Sequence, residues 1–390
     1  PQMAGGVQVS STDLVRRKWL DNDFYGTTFS ASYKRNNADV IVGGGLNKYE
    51  GRHFGNILWT RSIILPEYNL KYYDDSSAKT DANFFAKVNI RLAEKWSLFA
   101  DLQYRAVSYK ASGLASGPAD DAFGFVNPKG GITYAAGRAG SFYFSYGHAS
   151  REPNRSDYES GNPKPEKLDD YELGWRYNAK GIKLDINGYY MRYKDQLVLT
   201  GALDDVGAPV RQNSGNSYRI GVEADAFVMV TEKLILRPNL AVSSNKNEDF
   251  VFQRNGRLEQ LGKTNIAFSP NVIFGNAVTF LPVKNMQVSL LTKFVGEQYM
   301  GNIDSERSKL DSYSASDLNI SYEIKTKSIF KSILISGLVN NIFNYKYESN
   351  GYFYTYDDNF SVPGTVTTIE GAGYYPQAGI NFLAGAALKF

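Results

Sequence analysis

The chain of 390 residues contains no cysteine and only two histidines, His53 and His148. The first absence removes disulfides, thiol nucleophiles and thiolate metal sites together, and it suits a chain that crosses an oxidising compartment unfolded. The second leaves little material for acid–base catalysis, in which histidine is the usual participant. Long apolar runs are missing too. No stretch approaches the roughly 20 consecutive apolar residues that a membrane helix needs, which excludes a helical membrane protein. Neither sign of charge dominates: 43 basic against 40 acidic residues leave a formal charge of +3, which gives no reason to expect nucleic acid as a partner.

What the chain does have is 28 tyrosines, 23 phenylalanines and 36 glycines. Their placement follows a period of two, which puts successive side chains on opposite faces of a strand. Near the end, Pro376, Ala378, Ile380, Phe382, Ala384, Ala386, Leu388 and Phe390 form one wholly apolar row, while Gln377, Asn381 and Lys389 belong to the other. The pattern recurs in Ile266 to Phe280, in Leu318, Ile320, Tyr322 and Ile324, and in Tyr218, Ile220, Val222, Ala224, Ala226 and Val228. Weaker copies begin near Phe24, Ala38, Phe84, Trp96, Val126, Phe142, Asp170, Lys183, Leu234, Met286 and Ser332, the last ambiguous in phase. Strands of soluble sandwiches run to about five or six residues; the longest alternating runs here are roughly twice that, the length of a tilted strand crossing a bilayer. The fold class expected is therefore all-β, a transmembrane antiparallel β-barrel of about fifteen strands.

Connections are of two kinds. Short turns are expected at 36–37, 93–95, 137–140, 178–181, 231–233, 281–285 and 325–328, alternating with long connections at 61–80, 110–122, 150–167, 200–215, 247–264, 300–312 and 347–373. Outer-membrane barrels keep short turns in the periplasm and long loops outside, so the C-terminus is expected in the periplasm. An odd strand count then starts the first strand outside, whereas complete bacterial barrels have an even count and begin inside. An open sheet would also leave backbone groups unpaired in lipid. The expectation is that residues 1–22 are the tail of an extracellular loop, that 23–390 form the C-terminal portion of a barrel, and that earlier strands lie elsewhere. Reading 1–22 as one more strand would give a closed passive porin of about sixteen strands, but Val7 to Leu20 alternates poorly around Arg16, Arg17 and Lys18.

The runs Arg151-Glu152-Pro153-Asn154-Arg155-Ser156-Asp157-Tyr158, Gly161 to Leu168 and Tyr171 to Tyr177 resemble a loop-and-strand block of the TonB-dependent receptor family. Asn127 to Gly131, Tyr193 to Val198, Val339 to Asn344 and the terminal Phe390 are similar to further family positions in the same order. The resemblance implies a barrel of 22 strands closed by an N-terminal plug with a TonB-binding box. About seven strands and the plug would then be missing here, in agreement with the parity argument. It also implies capture of a scarce solute by external loops and energy delivered by TonB through the missing N-terminal part. The expected cargo is a ferric siderophore or other metal chelate; cobalamin, peptide or glycan import with a surface lipoprotein partner, and passive diffusion, are the alternatives. Outer-membrane lipid and lipopolysaccharide are the expected surroundings.

Candidate ligand residues fall in two places. Arg151, Arg155 and Tyr158 could attract an anionic chelate, although solvated loop charge explains them as well. Tyr352, Phe353, Tyr354, Tyr356 and Asp357, with Asp358, could stack on a ring-bearing or sugar ligand, although barrels also place aromatics at the membrane interface. Haem capture, a family variant, needs loop histidines; none follows His148, which leaves His53 as the candidate. His148, beside Phe142, Phe144 and Tyr146, reads as structural. No catalytic residue, metal or cofactor is expected. The acidic pairs Asp74-Asp75 and Asp204-Asp205 could offer oxygen ligands to Ca²⁺, but such pairs are common on external loops. Asp185, Glu223, Asp225, Asp317 and Glu323 are expected to keep a lumen wet and to be available to a plug.

Overall fold

The computed structural model describes all residues except 1, 5–6, 10, 63–64, 115–116, 159–160, 204–208 and 327–328. The strands belong to a large antiparallel sheet and are divided between two compact units: Pro1–Asn89, Ala100–Pro128 and Ser150–Pro165 form one, and Ile90–Phe99, Lys129–Ala149 and Glu166–Phe390 the other. The wall strands are β1 (Leu14–Arg35), β2 (Ala38–Thr60), β3 (Leu70–Arg91), β4 (Trp96–Ala111), β5 (Ala119–Ala135), β6 (Ser141–Arg151), β7 (Glu166–Ala179), β8 (Ile182–Lys194), β9 (Asn216–Thr231), β10 (Leu234–Arg254), β11 (Val272–Phe280), β12 (Met286–Val295), β13 (Tyr313–Lys325), β14 (Ser332–Asn340) and β15 (Asn381–Lys389). The fifteen strands expected from alternation each have a counterpart here.

In the first unit the order runs from β1 to β5. β1 and β2 pair over their whole length, from Leu14↔Thr60 to Arg35↔Ala38, around the turn at 36–37. They run 22 and 23 residues, and β3 another 22, about twice what a tilted crossing requires. β1 thus starts at Leu14, inside the segment read as loop from the sequence. The reason is physical: the strand is exposed along its whole length, so Arg16, Arg17 and Lys18 fit without alternation. Arg17 lies over the Trp19 ring and Trp19 stacks on Phe54. The expected connection at 61–80 likewise shortens to 61–69. β1 has one neighbour, β2, among the described residues.

The second unit orders its strands from β5 to β15 in sequence order. The phase of β14 is resolved by its partners: Ile335 lies between Tyr322 and Ala386, and Ile333 between Ile324 and Leu388, on the exposed apolar face. Two starts differ from the alternation. β11 begins at Val272, not Ile266, because Phe268 takes a positive φ of 53° and the Ala267 N–H is given to Asn302; Pro270 has no N–H to offer a ladder. β15 begins at Asn381, not Pro376, because Pro376 ends a hairpin strand and the Ile380 N–H goes to the Asn344 side chain.

The expected long loops of this unit are themselves extended. Leu197–Leu203 pairs with Pro209–Asn213, Arg257–Asn265 with β10, and Glu348–Asp358 with Thr367–Pro376. A wall one residue thick has no interior. The buried apolar residues therefore collect where hairpins meet: Tyr109, Ala111, Leu114 and Tyr158 in the first unit, and Val198, Phe250, Phe252 and Ile303 in the second, where Phe353 packs against them. The apolar face of the wall is bare, with Leu173 64% and Phe382 81% exposed, in keeping with the apolar rows expected from the sequence to face lipid.

Candidate ligand-binding site

The aromatic run at 352–357 occupies the hairpin formed by Glu348–Asp358 and Thr367–Pro376. Register pairs Tyr352 with Gly373 and Tyr354 with Gly371. A Cβ on either glycine would collide with the tyrosine ring opposite. Each ring consequently lies flat across the neighbouring strand, and glycine is required to let it do so. Tyr352, Tyr354 and Tyr356 form a ladder with ring centroids 6.2 and 6.4 Å apart and planes inclined by 18° and 15°. Tyr375 closes one end at 6.0 Å from Tyr352. Tyr352 and Tyr356 remain 47% and 48% exposed.

The odd positions face the other way. Phe353 packs on the cluster of Phe250, Phe252, Val198 and Ile303 and anchors the hairpin. Asp357 accepts the Thr368 hydroxyl at 2.6 Å and, at 3.4 Å, the Gln253 amide. Thr368 and Asn255 bond reciprocally, the Asn255 N–H to the hydroxyl and the Thr368 N–H to the Asn255 side chain. Asn255 and Gly256 carry φ of 53° and 72°, the left-handed pair that a two-residue hairpin turn requires. This Asn-Gly signal was available in the sequence and was not used there. Arg254 reaches Glu370, which also accepts the Ser305 hydroxyl, so the connection at 300–308 is tied to the same hairpin.

Beneath these contacts lies a buried polar junction that sequence reasoning missed. Asn302 accepts from Asn247 and from the Ala267 N–H and donates to the Leu199 carbonyl, while Asn247 also donates to Thr264. Asn302 is 3% exposed and Asn247 fully buried. Residues so far apart in the chain have no local pattern to betray them.

The result is an open cavity of about 610 Å³, lined among others by Tyr354, Tyr356, Phe252, Thr200, Gln212 and Asp357. Cavities of small-molecule sites run from about 300 to 1,000 Å³ and combine aromatic walls with a few fixed polar groups. Here the aromatic wall is Tyr354, Tyr356 and Phe252, the polar groups are hydroxyls and amides, and the one charge of the lining is the Asp357 carboxylate. The arrangement can stack a planar ring and hydrogen-bond its edge.

The other candidates lie in the first unit. Tyr158 is 3% exposed, stacks on Tyr109 at 5.3 Å and donates its hydroxyl to Asp121 at 2.7 Å; burial and then Asp121 push its pKa up. Arg155 donates to the Ser112 and Gly113 carbonyls at 3.2 Å. Arg151, at the end of β6, is exposed. The residue that locks this segment is the intervening Glu152, which accepts from Arg105 at 2.7 Å and from Lys79, while Arg105 also holds Asp81. His53 is partly buried; burial, and then the charge of Arg155, lower its pKa. Asp74 of the acidic pair is bound by Arg52 and Lys71, which lower its pKa. Asp204-Asp205 lies outside the described residues. Among the described residues no group of three or more His, Cys, Asp or Glu side chains is set to hold a metal ion.

Known proteins sharpen this picture. Among solved structures, a copper transporter, OprC, superposes with a TM-score of 0.72 at 17% identity over 95% of this chain and 57% of its own. The ferric-catecholate import receptor Fiu of Escherichia coli K12 gives 0.65 at 12% identity over 95% and 55%, and the ferric yersiniabactin uptake receptor FyuA of Yersinia pestis 0.63 at 16% over 97% and 56%. The chain thus spans little more than half the length of these structures, and identities so low speak for the fold alone. A search of curated protein sequences finds no match. A family model for the β-barrel of TonB-dependent receptor-like proteins matches residues 4–342. With that match over most of its length, and with the strand architecture of such receptors, the chain belongs to the TonB-dependent receptor family of the bacterial outer membrane, as part of its β-barrel.

Proposed function

We propose that the protein takes up a scarce nutrient across the outer membrane, a ring-bearing metal chelate of the siderophore class, using energy transmitted by TonB. The observation that carries the cargo class is the ladder of Tyr352, Tyr354 and Tyr356, exposed at its two ends, whose last two members line a ligand-sized cavity. Rings stacked on such a surface gain about 0.5–1.5 kcal/mol each beyond the area they bury. The names of the structural relatives, copper transporter and ferric-catecholate import receptor, favour the same class. In this reading the long hairpins stand outside, the short turns and Phe390 face the periplasm, and a plug and further strands outside this chain complete the receptor. β1 and β15, which have one neighbour each among the described residues, offer those strands a pairing edge. Release follows when TonB moves the plug; the hairpins described here supply capture.

A strain deleted for the receptor, grown under iron limitation, should lose uptake of at least one aromatic-ring ferric chelate. Complementation with Tyr354→Ala plus Tyr356→Ala should weaken binding of that chelate on the order of tenfold while leaving the amount of receptor in the outer membrane unchanged. Undiminished growth and uptake on every chelate offered would count decisively against the assignment.

A further inference from the structure

The cavity at the tyrosine hairpin is furnished with one sign of charge. Between Lys346 and Lys389 the chain contains no lysine or arginine, so the hairpin that carries the ladder has Glu348, Asp357, Asp358 and Glu370 and no cation of its own. The cations that other segments bring near it are already engaged. Arg254 lies over the Phe252 ring at 5.6 Å and is flanked by Glu259 at 3.4 Å and Glu370 at 3.8 Å. Arg307 donates to the Glu370 carbonyl at 3.3 Å. Arg211 adjoins the lining residue Gln212 on a strand, so its side chain leaves from the opposite face, where it has a partner.

Asp357 is different. It is partly buried in the lining, and its carboxylate is held by two neutral donors, the Thr368 hydroxyl at 2.6 Å and the Gln253 amide at 3.4 Å. Those bonds orient its negative charge without compensating it. Around it stand Phe252, Tyr354 and Tyr356, rings that draw positive charge to their faces. An oriented carboxylate among aromatic rings has both parts of a cation receptor, since a charge-assisted hydrogen bond adds to the attraction of the rings. The polar side of the wall keeps the same sign. A second cleft there is lined by Asp170, Glu172 and Glu223 against one cation, Arg219, which donates to Ser269 at 2.9 Å.

We propose that Asp357 selects the cargo by its charge, pairing with an ammonium or guanidinium group on the ring-bearing ligand and turning away ligands of net negative charge. This rests on the reading of the cavity as the capture site and narrows it. A chelate whose anionic donors outnumber the charge of its metal sets that excess against Asp357, and like charges repel most where water is partly excluded. A chelate that carries an amine beside its ring is attracted instead.

The test uses the complete receptor purified in detergent and three ring probes of similar size: phenylguanidinium, phenylurea and benzoate, cationic, neutral and anionic. Binding is read by isothermal titration and by saturation-transfer NMR. Phenylguanidinium should bind on the order of tenfold more tightly than phenylurea, with benzoate weakest, and added salt should weaken the cation alone. Asp357→Asn, whose amide oxygen can still accept from Thr368, should bring phenylguanidinium down to the level of phenylurea. Gln212→Lys, at an exposed lining position, should favour benzoate and serves as the second reading if Asp357→Asn does not assemble. Equal binding of the cationic and neutral probes by the wild type, a preference undiminished in Asp357→Asn, or an order unchanged in Gln212→Lys would overturn the proposal. The two readings of the cavity separate cleanly: chelate uptake without the charge preference sinks this inference alone, and the preference in a receptor that imports no chelate sinks the cargo assignment alone.

Discussion

Glu152 shows how one side chain can hold a loop. Its side chain is 6% exposed between Arg105 and Lys79. Burial pushes its pKa up, but the hydrogen bonds from Arg105 and Lys79 outweigh that and leave it below the ordinary 4.5. A carboxyl with a depressed folded pKa stabilises above its unfolded value and loses that contribution as the pH falls through the folded one. The opening free energy of 152–158, read from hydrogen exchange corrected for the intrinsic pH dependence of amide rates, should therefore be constant at about pH 6 and fall below about pH 4.5. Glu152→Gln should flatten this dependence and ease local opening by about 1–3 kcal/mol, since the amide keeps one acceptor oxygen for Arg105 and Lys79 and loses the charge that both of them face. At this scale the sequence was a partial guide. Arg151, Arg155 and Tyr158 drew notice as charged and aromatic groups, yet Tyr158 is committed to Asp121 and Arg155 to two carbonyls. Nothing local marks Glu152, because its partners come from β3 and β4.

The hairpin of Glu348–Asp358 and Thr367–Pro376 makes the same point one level up. Its tyrosines were conspicuous in the sequence, but their flat presentation depends on Gly371 and Gly373 across a connection of unknown register. Gly371→Val should displace the Tyr354 ring and lower chelate affinity about as much as Tyr354→Ala, that is by about 0.5–1.5 kcal/mol, with the protein still folded; isothermal titration of the receptor checks both variants side by side. If Gly371→Val binds as well as wild type, the flat ring is not what the ligand meets. Strand starts were legible wherever lipid enforces alternation and illegible above it. The segment 14–22 is strand because β2 pairs with it, and no periodicity was needed to put it there.

For the molecule as a whole, the assignment of faces is the claim that everything else uses. On β15, Ala386 pairs with Ile335 on the apolar face, while Ala387 pairs with Leu334 on the other. An arginine near mid-membrane on the lipid face costs about 2–4 kcal/mol, whereas lumen-facing positions tolerate charge. Ala386→Arg should accordingly lower the amount of assembled receptor in outer membranes and its urea midpoint, and Ala387→Arg should leave both nearly unchanged. The reverse order would mean that the faces are exchanged. Fold class was legible from composition and period alone, because a bilayer imposes one rule on every strand.

The tyrosine ladder carries an optical corollary. No tryptophan follows Trp175, and the hairpin with its cavity contains none. Indole emission, the customary reporter of ligand capture, would therefore originate elsewhere in the receptor and stay silent as the site fills. Phenol emission from Tyr352, Tyr354 and Tyr356 should instead be quenched by a coloured ferric chelate seated upon it, so that the site supplies its own spectroscopic label.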